Sequence, residues 1–316
     1  MDLETPLWFL IDAEGRVRKI YTESPDAATI RAELRSLEGP LPDVRGLPFG
    51  GYFIGTPARD YYKLGGALLQ AGYGEQALPY FEEMLRRSQD DAKALLAVGR
   101  IHLEAKRLPQ AREALERAVA LAVATAGAMD ASLPEAWNEL GGVEGEAGNF
   151  TEALRCYQKA LELAPDLGYA LVNAAHTLES LGRAAEAEQR YRHALALDPK
   201  NADAANGLGL LMAKQDRNDE ARSLFESAIA ARRDDASAIN NLGVLYINMG
   251  RVNDAIAAFE YGIRVAPDSE MLYLNLARLW VQKGERGKAK DLMQALLARK
   301  PDSQTASKAL EQLRDR

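Results

Sequence analysis

Between residues 134 and 166, PEAWNELGGVEGEAGNFTEALRCYQKALELAPD, large and small residues follow one another in a fixed order along a helical pattern: Trp137, Leu140, Gly141, Gly148, Ala153, Tyr157, Ala160 and Pro165. The order recurs. The alanine equivalent to Ala153 returns at Ala77, Ala111, Ala187, Ala221, Ala255 and Ala289. Four residues after each alanine stands a large side chain: Phe81, Leu115, Tyr157, Tyr191, Phe225, Phe259 and Met293. Upstream, Leu64-Gly65, Val98-Gly99, Leu140-Gly141, Ala174-Ala175, Leu208-Gly209, Leu242-Gly243 and Leu276-Ala277 keep the same phase. Every step is 34 residues, except one of 42 between the second and third copies.

This spacing resembles the tetratricopeptide repeat, which implies two antiparallel helices, A and B, per unit. The resemblance implies an all-α fold, a right-handed superhelical solenoid with a long concave groove. Small residues such as Gly141 and Ala153 let A approach B, and large ones such as Trp137 and Tyr157 fill the space where the pair splays. Gly72, Gly148, Gly182, Gly250 and Gly284 turn the chain from A to B, and Pro165, Pro199, Pro267 and Pro301 end helix B. Seven units are expected at 58–91, 92–125, 134–167, 168–201, 202–235, 236–269 and 270–303. An insertion at 126–133 extends the second helix of the second unit, and the polar tail 304–316 caps the stack.

The first 57 residues read differently. Leu7–Ile11 and Val17–Tyr21 predict a β-hairpin about the turn Asp12–Gly15, and Ser24-Pro25 opens a helix with Ile30, Leu34 and Leu37 on one face. Residues 5–37 resemble the C-terminal part of a thioredoxin-like domain of the redoxin type, but lack its cysteines; 1–38 is therefore expected to be a remnant without redox chemistry. The Pro/Gly-rich stretch 39–57 is expected to be a linker packed on the first repeat through Phe49, Tyr52 and Phe53. The combination is similar to the C-terminal part of large bacterial proteins that carry an FG-GAP propeller upstream.

Length alone suggests about two domains, but a repeat array forms one body at this size. The net charge of −7 gives no electrostatic footprint for nucleic acid or an anionic membrane. The longest nearly apolar run, 118–129, is too short to span a bilayer. Acids and no basic run at the N-terminus show no secretory signal, which leaves the cytoplasm as the default compartment, with export open if the chain continues upstream. One cysteine, Cys156, excludes a disulfide framework, a CxxC pair and a cysteine zinc site within the chain. His102, His176 and His193 fall on different helices without metal-ligand spacing, so neither metal nor cofactor nor enzymatic activity is expected.

In tetratricopeptide stacks, positions 2, 5, 6, 9, 12 and 13 of helix A face the groove. Here position 5 holds Asn138, Asn206 and Asn240, and position 6 holds Asn173, Asn241 and Asn275. Asparagine is a mediocre helix former, and a carboxamide offers both donor and acceptor to an extended peptide backbone. The series resembles the asparagine ladder of O-GlcNAc transferase, with Tyr169, His176, Asn248 and Arg278 flanking it. An alternative is that the asparagines are satisfied by neighbouring helices. The carboxylate-clamp pattern of chaperone-binding repeats is not met: its positions hold Tyr62/Gly66, Ala97 and Glu135/Glu139. The expected function is a non-catalytic scaffold for an extended segment of a partner protein. Self-association through the N-terminal hairpin and service as an accessory domain of a larger bacterial redox or surface protein are the alternatives.

Overall fold

The computed structural model describes residues 8–11, 17–21, 61–88, 90–125 and 133–314. The chain divides into two units, Met1–Arg59 and Asp60–Arg316. In the first, β1 (Trp8–Ile11) pairs antiparallel with β2 (Val17–Tyr21), Trp8 opposite Tyr21 and Phe9 opposite Ile20, with an irregularity between Leu10 and Ile11. The helix expected after Pro25, the linker 39–57 and residues 126–132 of the insertion lie outside the described residues.

The second unit is all-helical, with fifteen helices among the described residues. They run as seven A/B pairs: α1 (Tyr61–Gln70) with α2 (Gly74–Arg87), α3 (Ala92–Glu104) with α4 (Leu108–Thr125), α5 (Leu133–Glu146) with α6 (Phe150–Leu163), and α7 (Gly168–Ser180) with α8 (Ala184–Leu197). Then follow α9 (Ala202–Lys214) with α10 (Asn218–Ala231), α11 (Ala236–Asn248) with α12 (Val252–Val265), and α13 (Glu270–Gln282) with α14 (Arg286–Arg299). A last helix, α15 (Gln304–Arg314), covers Met293, Leu296 and Tyr273 of the seventh pair with Ala306, Ala309, Leu310 and Leu313. Helix α4 is 18 residues long where α6 and α8 have 14, so the second pair's B helix is stretched on the side of the insertion.

Each pair is held by one close crossing. A Cβ added to Gly141 would lie 2.6 Å from the ring of Tyr157, one on Gly209 2.7 Å from Phe225, and one on Gly99 2.5 Å from Leu115. Glycine is therefore required there because the large residue of helix B occupies the volume a side chain would need. Tyr191, Phe81, Phe225 and Phe259 are the largest fully buried side chains, and the alanines facing them, from Ala77 to Ala289, are all fully buried. Packing in such an interior tolerates extra atoms poorly.

The seven A-to-B turns share a left-handed residue. Gly72, Gly148, Gly182, Gly250 and Gly284 have φ between +72° and +80°. At the equivalent positions of the second and fifth pairs stand Lys106 (φ +58°) and Asp216 (φ +59°). Several A helices are capped at their start: Asp91, Asn201 and Asp235 accept the backbone N–H of Ala94, Ala204 and Ala238. Ser303 does the same for Ala306 at α15. Asp235, which by sequence alone reads as solvated turn charge, is thus a buried helix cap.

Two consequences follow for stability. Because a left-handed L residue costs roughly 1–2 kcal/mol and glycine gives back roughly 0.5–1 through unfolded-chain entropy, Lys106→Gly should raise stability by up to about 1 kcal/mol and Gly182→Ala should lower it. Urea unfolding of both variants measures this, and a loss on Lys106→Gly would contradict it. Gly209→Ala should cost about 1–3 kcal/mol by overpacking against Phe225. Combined with Phe225→Leu, the loss should be smaller than the sum of the two single losses; additive losses would show that the two side chains do not compete for space.

Candidate functional site

The A helices lie side by side, and their position-5 and position-6 asparagines meet across successive repeats. Asn173 Nδ2 donates to Asn138 Oδ1 at 3.0 Å, Asn241 Nδ2 to Asn206 Oδ1 at 3.0 Å, and Asn275 Nδ2 to Asn240 Oδ1 at 2.6 Å. Each bond runs from position 6 of one repeat back to position 5 of the one before. Within a pair the donor residue keeps its own Oδ1 and a second N–H for another partner. Arg278 Nη1 takes up one of these, donating to Asn275 Oδ1 at 3.3 Å. Asn138 and Asn240 are only 5% and 9% exposed, whereas Asn173, Asn206, Asn241 and Asn275 are half-buried. Asn138 and Asn240 therefore brace and orient the carboxamides of Asn173 and Asn275 from beneath.

The series breaks between the fourth and fifth repeats, where the corresponding residues are Val172 and Gly207. The ring of Tyr191, on α8, fills that gap: its atoms lie 2.6 Å from the place of a Cβ on Gly207. Its hydroxyl donates to Glu179 Oε1 at 2.8 Å and meets His176 Nδ1 at 2.7 Å. One hydroxyl hydrogen serves one acceptor, and the carboxylate can only accept, so His176 carries its proton on Nδ1 and donates it to the tyrosine oxygen. Burial of the imidazole, whose ring stands edge-on to Tyr191 at 5.4 Å, holds the His176 pKa below its ordinary value. Lys214 Nζ closes the group on Glu179 Oε2 at 3.0 Å.

On the side of the earlier repeats, α3, α5 and α7 enclose a cavity of about 840 Å³ that contains Asn138, Asn173 and Tyr169. Its carboxylates include Glu139, whose pKa is raised by burial although Arg100 lies 3.6 Å away. The Tyr169 phenol is pushed up to about 12, first by burial and then by Glu135 and Glu139.

Of the ten residues the sequence singles out, seven thus come together as three asparagine pairs with Arg278. Tyr169 lines the cavity beside the first pair, and His176 belongs to the tyrosine-centred group in the break. Asn248 is exposed in the last turn of α11 and takes part in none of the pairs. Glu179 and Lys214 are absent from the sequence reading, which counts Tyr191 only among the large residues of the crossings; the signal was Gly207 at an asparagine position, one repeat after Ala175 had replaced the crossing glycine. Cys156 is buried, and burial pushes its thiol up to about 12, so a thiolate is not accessible at neutral pH. Among the described residues, no three His, Cys, Asp or Glu side chains are grouped to hold a metal, and no helix is long and apolar enough to cross a membrane.

Among solved structures, a chain of the APC/C hetero-tetramer Cut9-Hcn1 superimposes with a TM-score of 0.61 at 19% identity, covering 80% of this chain. The present chain spans 48% of that one. A tetratricopeptide repeat protein from Parabacteroides merdae matches with a TM-score of 0.59 at 17% identity, over 80% of this chain and 97% of its own. PilF of Pseudomonas aeruginosa matches with a TM-score of 0.56 at 20% identity, over 69% of this chain and 96% of its own. At these identities the likeness is one of fold. No curated protein sequence matches the chain. Two models of the tetratricopeptide repeat match residues 132–200, and residues 68–128, 178–245, 212–272 and 246–313. With helix pairs, crossing residues and family models in agreement over most of its length, the chain belongs to the tetratricopeptide repeat family.

Proposed function

We propose that this protein is a non-catalytic scaffold that binds an extended peptide segment of a partner protein along the face of its A helices. Tetratricopeptide repeat proteins in general mediate protein–protein interactions and are in general not catalysts. The observation that supports the finer reading is the set of three asparagine pairs. Mutual bonding costs each donor residue only part of its hydrogen-bonding capacity and fixes the direction in which the rest points. A peptide backbone, with one donor and one acceptor per residue, matches that remaining capacity without regard to its side chains. Pre-oriented groups also bind at a smaller entropic cost than free ones.

The segment 5–37, similar to the end of a redoxin domain, has no redox role in this reading, because Cys156 is the chain's single cysteine and lies buried in the second unit.

The test is a peptide-array screen of 15-residue segments against the wild type and an Asn173/Asn206/Asn241/Asn275→Ala variant whose circular dichroism and melting match it. Peptides held by the wild type should lose at least tenfold in affinity with the variant. Equal binding by both proteins would make the pairs a purely internal brace and end the proposal.

A further inference from the structure

The A-helix face changes character along the stack, and the change coincides with the break at Tyr191. On the early side, the cavity between α3, α5 and α7 is lined by Glu104, Glu135, Glu139 and Glu146 against Arg100 and Lys106. Lys106 is spent on Glu146 at 2.7 Å, and Arg100 reaches Glu139 only at 3.6 Å. Glu104 and Glu135 are exposed and make no ion pair among the described residues. Beside them Tyr169, 44% exposed, presents an aromatic ring. Carboxylates in excess next to an open tyrosine face are the surroundings that suit a guanidinium or an ammonium.

On the late side the same face carries exposed aliphatic side chains beside its asparagines and Arg278. Leu210 and Val244 occupy equivalent positions of the fifth and sixth repeats, one helical turn beyond Asn206 and Asn240. With Met271 and Val281 on α13 they are 36–41% exposed, a share of water contact that leucine, valine and methionine do not favour. They flank the two asparagine pairs of this half. The repeats thus set exposed aliphatic side chains beside backbone-reading carboxamides, in the way a binding face combines affinity from the main chain with selection by side-chain contacts.

Resting on the peptide-binding reading above, we propose that the groove selects an extended segment that is basic in one half and aliphatic in the other. The basic half lies over Glu104, Glu135 and Tyr169, and the aliphatic half over Leu210, Val244, Met271 and Val281. The three asparagine pairs hold the main chain on either side of Tyr191. Charge complementarity fixes the first half of the occupant and exposed aliphatic surface the second.

The experiment uses the whole protein and labelled synthetic peptides of 14 residues, read by fluorescence anisotropy at low salt. One carries Lys and Arg in one half and Leu and Val in the other, prepared in both orders. Matched peptides replace the basic residues by Glu, or the aliphatic residues by Ser and Thr. The basic–aliphatic peptide should bind at least tenfold more tightly than either matched peptide. Glu104→Gln/Glu135→Gln, at exposed sites, should bring the preference over the Glu peptide down several-fold. Leu210→Ser/Val244→Ser should do the same for the preference over the Ser/Thr peptide. If all peptides bind alike and lose binding with the four-asparagine variant, the groove reads backbone only and the charge-and-apolar selection is wrong. If none binds, or all bind the four-asparagine variant as they bind the wild type, the peptide-groove reading itself falls, and this inference with it.

Discussion

Everything in the helical stack depends on how closely helix A can approach helix B within a pair. That distance is set by the crossing residue on A, glycine in five of the pairs, beneath a Phe, Tyr or Leu of helix B. A single methyl would intrude on the ring, and the ring in turn removes most of the apolar area that keeps the pair together. Since each pair packs chiefly on its neighbours, the spacing chosen at one crossing is transmitted to the next, and the orientation of all A helices on the common face follows from it. The left-handed turn residue contributes the complementary constraint, fixing the reversal of direction whether the residue is glycine, Lys106 or Asp216.

The interruption of the asparagine series follows from the packing of one B-helix ring. In the fourth repeat the crossing residue is Ala175, which, like Ala277 of the seventh, carries a methyl where the other five repeats have glycine. The ring of Tyr191 lies over Gly207 of the following repeat, and its buried hydroxyl is bonded between His176 and Glu179. An asparagine at 207 would collide with that ring. Position 6 of the fifth repeat is thus committed to packing, and in place of a carboxamide pair the break holds a buried tyrosine bonded to His176 and Glu179, with Lys214 on Glu179.

The repeat phase was legible from sequence because a glycine, an alanine and an aromatic residue at set offsets report a contact within one helix pair, and that contact is local. The turn glycines were legible for the same reason. The substitution of Lys106 and Asp216 at two of those turns was not, since neither residue signals a left-handed backbone by itself. The site was only half legible. Which asparagines share a face follows from helical periodicity, but their pairing joins residues 35 apart in different repeats, and this offset depends on how the pairs stack. For that reason Asn138 and Asn240 read as ligand contacts when they are buried braces, and Asp235 read as solvated charge when it caps α11. The sequence places Tyr191 in the core, where it is fully buried, but gives no sign that its hydroxyl meets His176 and Glu179 there.

The division of the groove follows from the same packing. A carboxamide pair needs two adjacent repeats with asparagine in register. The fifth, sixth and seventh repeats satisfy this with two overlapping pairs, beside which Leu210, Val244, Met271 and Val281 stand as exposed aliphatic residues. The third repeat contributes one pair with the fourth, and with the second it fills the rest of the face with carboxylates, one of which, Glu139, has its pKa raised by burial despite Arg100. A carboxylate held mostly out of water beside a single guanidinium is only partly compensated. In the proposed reading, the cationic side chain of a bound segment would lie beside it and the exposed Glu104 and Glu135.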